Sequence, residues 1–349
     1  MRGRSIMSNS QKLRGALIAT ALVLVGCMGP GGSPSPTAGT PLKVGLGYIP
    51  SVQFAPFYLA QQSGAYAAAG LDVELQNQID PDLISLVGSG GLDLALADGT
   101  SMIPAVSQGI PVQYLATIYG TLPNVVIARA DRGIASPADL AGHSVGTPGQ
   151  YGSGYLTLLG ILADAGLALG DKPREVQLKL YPDFGQTQAL ISGTVDAVTG
   201  YANNDLVTAE AEGLDVNVFF ASSSAPFAGP GLISAKATLA SKGDAVRAFI
   251  AVTLDAMRQI AADPELGVNA AGAVVPELIA DAAARERSLS IMLATIEIWS
   301  GPAQDAAGYG ALDETGWEQS IDFMRELKGQ TVSATLTAAD ILDAGFLPE

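Results

Sequence analysis

The sequence predicts an α/β fold of two lobes with a ligand cleft between them. The stretch 42–75 alternates strand, helix and strand, which is the pattern of one β-α-β unit. Two later segments, 91–101 and 193–204, share a pattern of glycine, aspartate, apolar strand and polar turn, which suggests two similar lobes. The chain has 349 residues, of which 48% are hydrophobic, and this is enough for two lobes with cores of their own.

The first β-α-β unit carries aromatic residues in the turn after its first strand. A short buried strand is predicted over 43–48, and Pro50 ends it because proline has no backbone N–H for the ladder. Ser51 is a natural N-cap for the next turn, in which Phe54 and Phe57 recur at helical spacing. Ligands of open α/β sheets bind at turns of this kind, so we expect this turn to line a site.

Polar turns also follow the later predicted strands. The turn 98–101 follows strand 92–97, and its hydroxyls and free N–H groups at a helix start are ready donors, although capping alone would also explain Asp98 or Thr100. The glycine-rich turn 149–155 lies between a strand and a helix. We favour a cradle of backbone donors there, with Tyr151 or Tyr155 facing the cleft, over a plain tight turn.

The first 27 residues are typical of an export signal. A basic region, 2–14, precedes an apolar run, 16–25, which is shorter than the roughly 20 residues that span a bilayer as a helix. The run ends in Leu-Val-Gly-Cys, which resembles the lipobox of bacterial lipoproteins and implies that Cys27 is lipidated. The alternative is a stray thiol after an ordinary signal peptide. Residues 28–41 are rich in Gly, Pro and Ser and are expected to form a flexible tether.

Composition argues against several classes of function. A formal net charge of −16 disfavours nucleic acid and anionic headgroups as partners. Cys27 is the only cysteine, and its lipidation would leave the mature protein with no free thiol for a Cys/His pair. His143 is the only histidine, so a His-rich metal site cannot form. The Gly-Ser-Gly at 152–154 lacks the spacing of a nucleophile elbow. We therefore expect no catalysis, no cofactor and no metal.

The run IPSVQFAPFYLAQQSGAYAAAGLDVEL, residues 49–75, resembles the opening of substrate-binding proteins of bacterial ABC importers. The branch it resembles serves nitrate, taurine, alkanesulfonates, thiamine-pyrimidine precursors and riboflavin, and the segment 52–58 is most similar to the vitamin-type members. The stretch 136–146 is similar to the start of the second lobe in that family. The resemblance implies a type II periplasmic-binding fold, with lobe one at 42–128 plus 225–349 and lobe two at 129–224.

The resemblance also implies a function. We expect a lipid-anchored protein on the outer face of the bacterial cytoplasmic membrane, which binds a small aromatic vitamin and delivers it to an ABC permease. Riboflavin is favoured, a thiamine-pyrimidine precursor is the first alternative, and a sulfonate, taurine or nitrate ligand is the next. A sensor subunit with a receptor partner is a further alternative. A thiamine-pyrimidine synthase-like enzyme is a remote one, because the cysteine-rich motif of that enzyme has no counterpart here.

The candidate ligand-binding residues are the aromatic and polar side chains at the predicted strand exits. The aromatic rings are expected to stack on a flat ligand, and the polar groups to fix its edge. The candidates are Ser51, Gln53, Phe54, Phe57, Asp98, Gly99, Thr100, Ser101, Tyr119, Tyr151, Gly152, Ser153, Tyr155, Phe184, Tyr201, Asn203 and Asn204.

Overall fold

A computed structural model describes residues 39–77, 83–221, 227–327 and 330–348. The predicted export signal 1–27, the lipidation site Cys27 and most of the predicted tether 28–41 lie outside the described residues. Within the described residues, no helix is both long enough and apolar enough to cross a membrane.

The first part of the chain alternates strands and helices, as the sequence predicts. The strands are β1 (Thr40–Leu46), β2 (Leu71–Asn77), β3 (Leu94–Asp98) and β4 (Val112–Thr117). The helices are α1 (Ala55–Gln62), α2 (Ala65–Ala68), α3 (Leu83–Gly88) and α4 (Gly99–Ser107). A short 3-10 turn, Val52–Phe54, precedes α1.

The middle part of the chain builds a second set of strands. These strands are β5 (Asn124–Arg129), β6 (Ser144–Thr147), β7 (Gln177–Leu180), β8 (Ala197–Tyr201) and β9 (Val216–Phe220). The helices are α5 (Gly152–Asp164), α6 (Gln186–Ile191) and α7 (Val207–Ala211). A π-helical turn, Ala202–Leu206, joins β8 to α7.

The last part of the chain is mostly helical. Strand β10 (Pro230–Ala235) leads into α8 (Lys236–Ala262), which has a kink at Lys242. The remaining helices are α9 (Pro264–Val274), α10 (Ala282–Trp299), α11 (Pro302–Ala307), α12 (Glu314–Glu326) and α13 (Ala338–Ile341).

The two sheets have the same topology. The first has the order β2-β1-β3-β10-β4, and the second has the order β7-β6-β8-β5-β9. In each sheet the first three strands run parallel, and the fourth runs antiparallel to both of its neighbours. The chain therefore forms two lobes of similar design, and each places the carboxyl ends of its parallel strands at one edge.

The crossover between the lobes lies earlier in the chain than the predicted boundary at 128/129. Strand β5 pairs with β8 from Asn124 to Ala128 and with β9 from Val125 to Arg129, so it belongs to the second sheet. The chain therefore crosses between Thr117 and Asn124. The sequence of β5 is an apolar run that would suit either lobe. It does not show that this strand pairs antiparallel within the second sheet and is the first element of the second lobe. The predicted return at 224/225 falls on residues outside the described ranges.

Each sheet is buried on both faces. In β10, Leu232 packs into one apolar cluster and Ile233 into another, because successive side chains of a strand point to opposite faces. Val126 and Val125 of β5 separate in the same way. Trp299 of α10 is fully buried in the first lobe.

Candidate functional site

A cleft of about 220 Å³ lies between strand ends of the two lobes. It is lined by residues that follow β1, β3 and β4 of the first sheet and β6, β7 and β8 of the second. This is the position at which open α/β sheets bind ligands, because the turns after neighbouring parallel strands meet at one edge. Twelve of the predicted candidates meet here: Gln53, Phe54, Asp98, Ser101, Tyr119, Tyr151, Gly152, Ser153, Tyr155, Phe184, Tyr201 and Asn204.

Asp98, the last residue of β3, joins the two lobes across the cleft. Its Oδ2 atom accepts hydrogen bonds from the hydroxyl of Ser153 at 2.7 Å and from the backbone N–H of Ser153 at 3.3 Å. Its Oδ1 atom accepts one from the hydroxyl of Tyr201 at 3.0 Å. Both donors belong to the second lobe, so one carboxylate of the first lobe holds the start of α5 and the end of β8. Hydrogen bonds to an ionised acceptor are stronger than neutral ones.

The phenols around Asp98 remain protonated in neutral solution. The pKa of Tyr201 lies well above its ordinary value, mainly because the phenol is buried and further because of the negative charge of Asp98. Burial and Asp98 also raise the pKa of Tyr119. Both hydroxyls therefore keep their protons, and that of Tyr201 donates a hydrogen bond to Asp98.

Tyr48 and Phe184 form an aromatic contact across the cleft. Their ring centroids lie 4.8 Å apart with the planes at 86°, which is the edge-to-face arrangement that aromatic pairs favour. Among the described residues, Phe184 is the only non-glycine residue with a left-handed backbone, at φ 58°. This conformation costs energy for a residue with a side chain, and such strain is concentrated at functional sites.

Asp205 lies in the π-helical turn after β8, and its carboxylate is buried at the cleft. It accepts hydrogen bonds from the hydroxyl of Thr187 and, at 2.7 Å, from the backbone N–H of Tyr201. Gly200 permits this approach, because a Cβ atom there would lie 2.6 Å from the Cβ of Asp205. Burial raises the pKa of Asp205 above its ordinary value. Single π-helical turns often occur at functional sites.

Three of the predicted residues after β1 and β3 do not line the cleft. Phe57 faces the core of the first lobe, where its ring stacks on Phe249 with centroids 6.2 Å apart. The hydroxyl of Thr100 donates to the carbonyl of Ala228 at 3.2 Å, and the N–H of Gly99 donates to the next carbonyl at 3.1 Å. The start of α4 is thus tied to the chain before β10, so these groups are not free for a ligand.

Ser51 and Asn203 also differ from the prediction. Ser51 precedes the 3-10 turn, but its hydroxyl caps no N–H, because the N–H of Phe54 donates to the backbone oxygen of Ser51 at 3.2 Å. The amide of Asn203 turns away from the cleft and donates to the hydroxyl of Thr295 in α10 at 2.9 Å. Asn203 therefore attaches the π-helical turn to the C-terminal helices.

Several residues that line the cleft were not among the candidates, including Tyr48, Asn124, Thr147, Gln186, Thr199 and Asp205. Tyr48 and Thr147 follow the rule of polar groups at strand exits, so that rule could have found them. Asn124 begins an antiparallel strand, and the amino end of such a strand lies at the edge where its parallel neighbours end. Gln186 begins α6 and has no sequence signal of its own.

Away from the cleft, the titratable groups of the described residues do not gather into a metal site. In the described ranges, no group of three or more His, Cys, Asp and Glu side chains could hold a metal ion. His143 is partly exposed and lies beside Asp196, with its Nδ1 atom 3.4 Å from Oδ2. It is not a lining residue of the cleft.

Comparison with known proteins relates the fold and the sequence to binding proteins. The chain is 28% identical over 303 residues to the riboflavin-binding protein RibY of Chloroflexus aurantiacus, covering 85% of this chain and 84% of that protein. It is 29% identical over 294 residues to the formylaminopyrimidine-binding protein of Halalkalibacterium halodurans, covering 81% of this chain and 84% of that protein.

The fold is also that of a solved binding protein. The alkanesulfonate-binding protein SsuA from Xanthomonas axonopodis pv. citri, bound to MOPS, superposes with a TM-score of 0.64 over 88% of this chain and 98% of SsuA. At 16% identity, this likeness shows the periplasmic binding protein fold alone. The family described as NMT1/THI5 like matches residues 51–266, which is more than half of the sequence. The chain therefore belongs to the NMT1/THI5-like family.

Proposed function

We propose that this protein is the extracytoplasmic substrate-binding component of an ABC importer. It takes up a small flat aromatic vitamin between its lobes, with riboflavin favoured, and presents it to a permease. The observation that carries this proposal is that aromatic rings from both lobes line one cleft. The first lobe contributes Tyr48, Phe54 and Tyr119, and the second contributes Tyr151, Phe184 and Tyr201. Offset or edge-to-face contact of such rings with a ligand is worth about 0.5–1.5 kcal/mol per pair beyond burial.

The charge of the cleft supports a ligand that is not an anion. No Lys, Arg or His is among the described residues that line it, whereas the carboxylates of Asp98 and Asp205 are. A sulfonate or nitrate would have to be held by backbone N–H groups and hydroxyls alone, with two carboxylates nearby. This disfavours the anion ligands of the wider family.

The similarity to the riboflavin-binding protein RibY supports riboflavin, because it extends over most of both chains. A second candidate is an aminopyrimidine precursor of thiamine. The comparable similarity to the formylaminopyrimidine-binding protein favours it. Both ligands are flat and heteroaromatic, so the same rings of the cleft would stack on either.

Delivery and location follow from the same proposal. Lobe one would carry the first sheet with the C-terminal helices, lobe two would carry the second sheet, and closure of the lobes would signal loading to the permease. Lipidation at Cys27 and the tether 28–41 would hold the lobes at the outer face of the membrane. We propose binding without turnover, since His143, the only histidine, lies away from the cleft.

Fluorescence titration tests the ligand. The full-length chain, purified in mild detergent, is expected to quench the fluorescence of added riboflavin in a saturable manner. Thermal shift with riboflavin and with hydroxymethylpyrimidine or its formylamino precursor is measured in parallel. A rise in melting temperature with the pyrimidines alone would transfer the assignment to the second candidate. Chemical conversion of any bound ligand, detected by mass spectrometry, would contradict the proposal of a binding protein.

A further inference from the structure

Four polar side-chain atoms that line the cleft are buried and have no hydrogen-bond partner within the described structure. They are Oε1 of Gln53, the hydroxyl of Tyr119, Oδ1 of Asn124 and Oε1 of Gln186. The residues are between 2% and 5% exposed. A buried polar atom without a partner costs free energy, and native proteins leave few of them. Four together in one cleft indicate that the missing partner is a ligand.

The chemistry of these atoms restricts that partner. Three of the four are amide oxygens, which accept hydrogen bonds, and the carboxylates of Asp98 and Asp205 can only accept when ionised. Because Asp98 and Asp205 already accept bonds from protein donors, the unpartnered acceptors are the three amide oxygens, and a matching ligand must present donors to them.

Two of the three amides lie on the floor of the cleft in the second lobe. Asn124 begins β5, and the side chain of Gln186 lies over β6, where its Cβ is 3.4 Å from the position that a Cβ of Gly146 would take. Between them, the hydroxyl of Thr199 in β8 donates to that of Thr147 in β6 at 2.9 Å. Because the two threonine hydroxyls are hydrogen-bonded to each other, the amide oxygens of Asn124 and Gln186 are the unpartnered groups on this part of the cleft. Gln53 approaches from the first lobe.

We propose that Asn124 and Gln186, with Gln53 opposite them, form an amide subsite that selects a ring edge carrying an N–H donor beside an acceptor. A primary amide can accept the N–H with its oxygen while its own NH₂ donates to the neighbouring acceptor, as in the paired recognition of adenine by Asn or Gln. An imide edge and an aminopyrimidine edge both have this pattern. The inference rests on the proposed function and identifies the feature of the ligand that sets its selectivity.

Methylation of the ligand donor tests this subsite without altering the protein. Riboflavin is compared with N3-methylriboflavin, which keeps the ring and the ribityl chain but has no imide N–H. We expect the full-length wild-type chain to bind riboflavin about 10- to 100-fold more tightly, since the methylated edge leaves buried acceptors unpaired. Equal affinities would overturn the inference while leaving the proposed function intact.

Variants of the two cleft amides test whether these residues cause the preference for riboflavin over N3-methylriboflavin. In Asn124→Ala and Gln186→Ala, the ratio of the two affinities is expected to fall towards one, because riboflavin loses a partner that the methylated ligand never had. Gln177→Ala is the control, because this amide begins β7 and does not line the cleft, and it should keep the wild-type ratio. A ratio unchanged in both cleft variants, each shown to be folded by circular dichroism, would also overturn the inference.

The same design separates this inference from the proposed function. If riboflavin does not bind, hydroxymethylpyrimidine is compared with its analogue dimethylated on the 4-amino group, which removes the N–H donors of that ring edge and leaves the hydroxymethyl group unchanged. A strong preference for the unmethylated pyrimidine would support the subsite with the second candidate ligand. Binding of neither parent compound would overturn the proposed function, and the inference with it.

Discussion

The carboxylate of Asp98 accepts a hydrogen bond from the hydroxyl of Tyr201 at 3.0 Å, and this bond joins the ends of two strands in different lobes. The same carboxylate also accepts two bonds from Ser153. All three bonds require the lobes to be close together, so their energy is available only to the closed arrangement. With the proposed closure of the lobes, Asp98 is expected to couple that closure to the position of the groups that line the cleft.

Replacement of Asp98 by Asn should weaken closure and binding. The amide has one acceptor oxygen and no charge, so it cannot retain the three charge-assisted bonds. Because such a bond contributes about 1.5–3 kcal/mol, we expect riboflavin affinity to fall about 10-fold or more. Fluorescence titration measures the affinity, and small-angle scattering of the ligand-free chain should show a larger radius of gyration.

Asp139→Asn is the matched control for this variant. The Asp139 carboxylate accepts bonds from Ser136 within the second lobe and does not touch the cleft. It should leave both affinity and scattering unchanged. An Asp98→Asn protein with wild-type affinity and scattering would show that the bonds across the cleft do not contribute to closure.

Phe57 and Tyr151 should respond to truncation in opposite ways. Phe57 is 1% exposed and stacks on Phe249, so Phe57→Ala should lower the free energy of unfolding by about 3–5 kcal/mol. Tyr151 lines the cleft and is 43% exposed, so Tyr151→Ala should cost little stability but weaken riboflavin binding several-fold. Urea unfolding and fluorescence titration measure the two effects. A large loss of affinity in the folded Phe57→Ala protein would restore Phe57 as a ligand contact.

Asp205 should make stability depend on pH in a defined direction. Burial raises the pKa of Asp205, so the folded protein binds this proton more tightly than the unfolded chain does. The wild type should therefore gain stability relative to Asp205→Asn, whose amide does not titrate, as the pH falls from about 7 to about 4. The difference in free energy of unfolding, measured at several pH values, cancels the other titrating groups that both proteins share. A constant difference would contradict this account.

Local sequence patterns predict much of the fold and of the cleft. Asp98, Ser153 and Tyr201 were candidates because each lies in or beside a turn after an apolar strand, and parallel strands bring such turns to one edge. The same rule cannot decide which way a side chain faces. Phe54 and Phe57 have the same chemistry and helical spacing, yet only Phe54 lines the cleft. The packing partner of Phe57 is far away in the sequence, in α8.

Contacts between the lobes cannot be predicted from local patterns in a single sequence. The bonds of Asp98 to Ser153 and Tyr201 join positions 55 and 103 residues apart. Asn203 was predicted to contact the ligand because it follows β8, but it bonds instead to Thr295 in α10, 92 residues later. No local pattern at Asn203 distinguishes these two roles, because an amide is a suitable partner for either.

The repeated Gly-Asp pattern has a structural meaning that can be tested. Asp93 precedes β3 and accepts a hydrogen bond from the N–H of Lys43 in the neighbouring β1 at 2.9 Å. Asp196 precedes β8 and accepts one from the N–H of Ser144 in the neighbouring β6, also at 2.9 Å. The two aspartates therefore occupy equivalent positions in the two lobes, and each fixes the start of a parallel strand pair at the edge opposite the cleft.

Asp93→Asn and Asp196→Asn should each lower the free energy of unfolding by about 1–2 kcal/mol, with little effect on riboflavin affinity. Burial alone would raise the pKa of Asp196, but the hydrogen bonds from Ser144 and the charge of His143 outweigh it and hold the pKa below its ordinary value. The stability due to Asp196 is therefore present at neutral pH and is lost as the pH falls below about 4, so the Asp196→Asn difference should shrink there. Asp255→Asn, an exposed change on α8, is the control and should stay within about 0.5 kcal/mol of the wild type. If these variants bind riboflavin more weakly but keep the wild-type free energy of unfolding, the aspartates contribute to the cleft and do not stabilise the start of their strands.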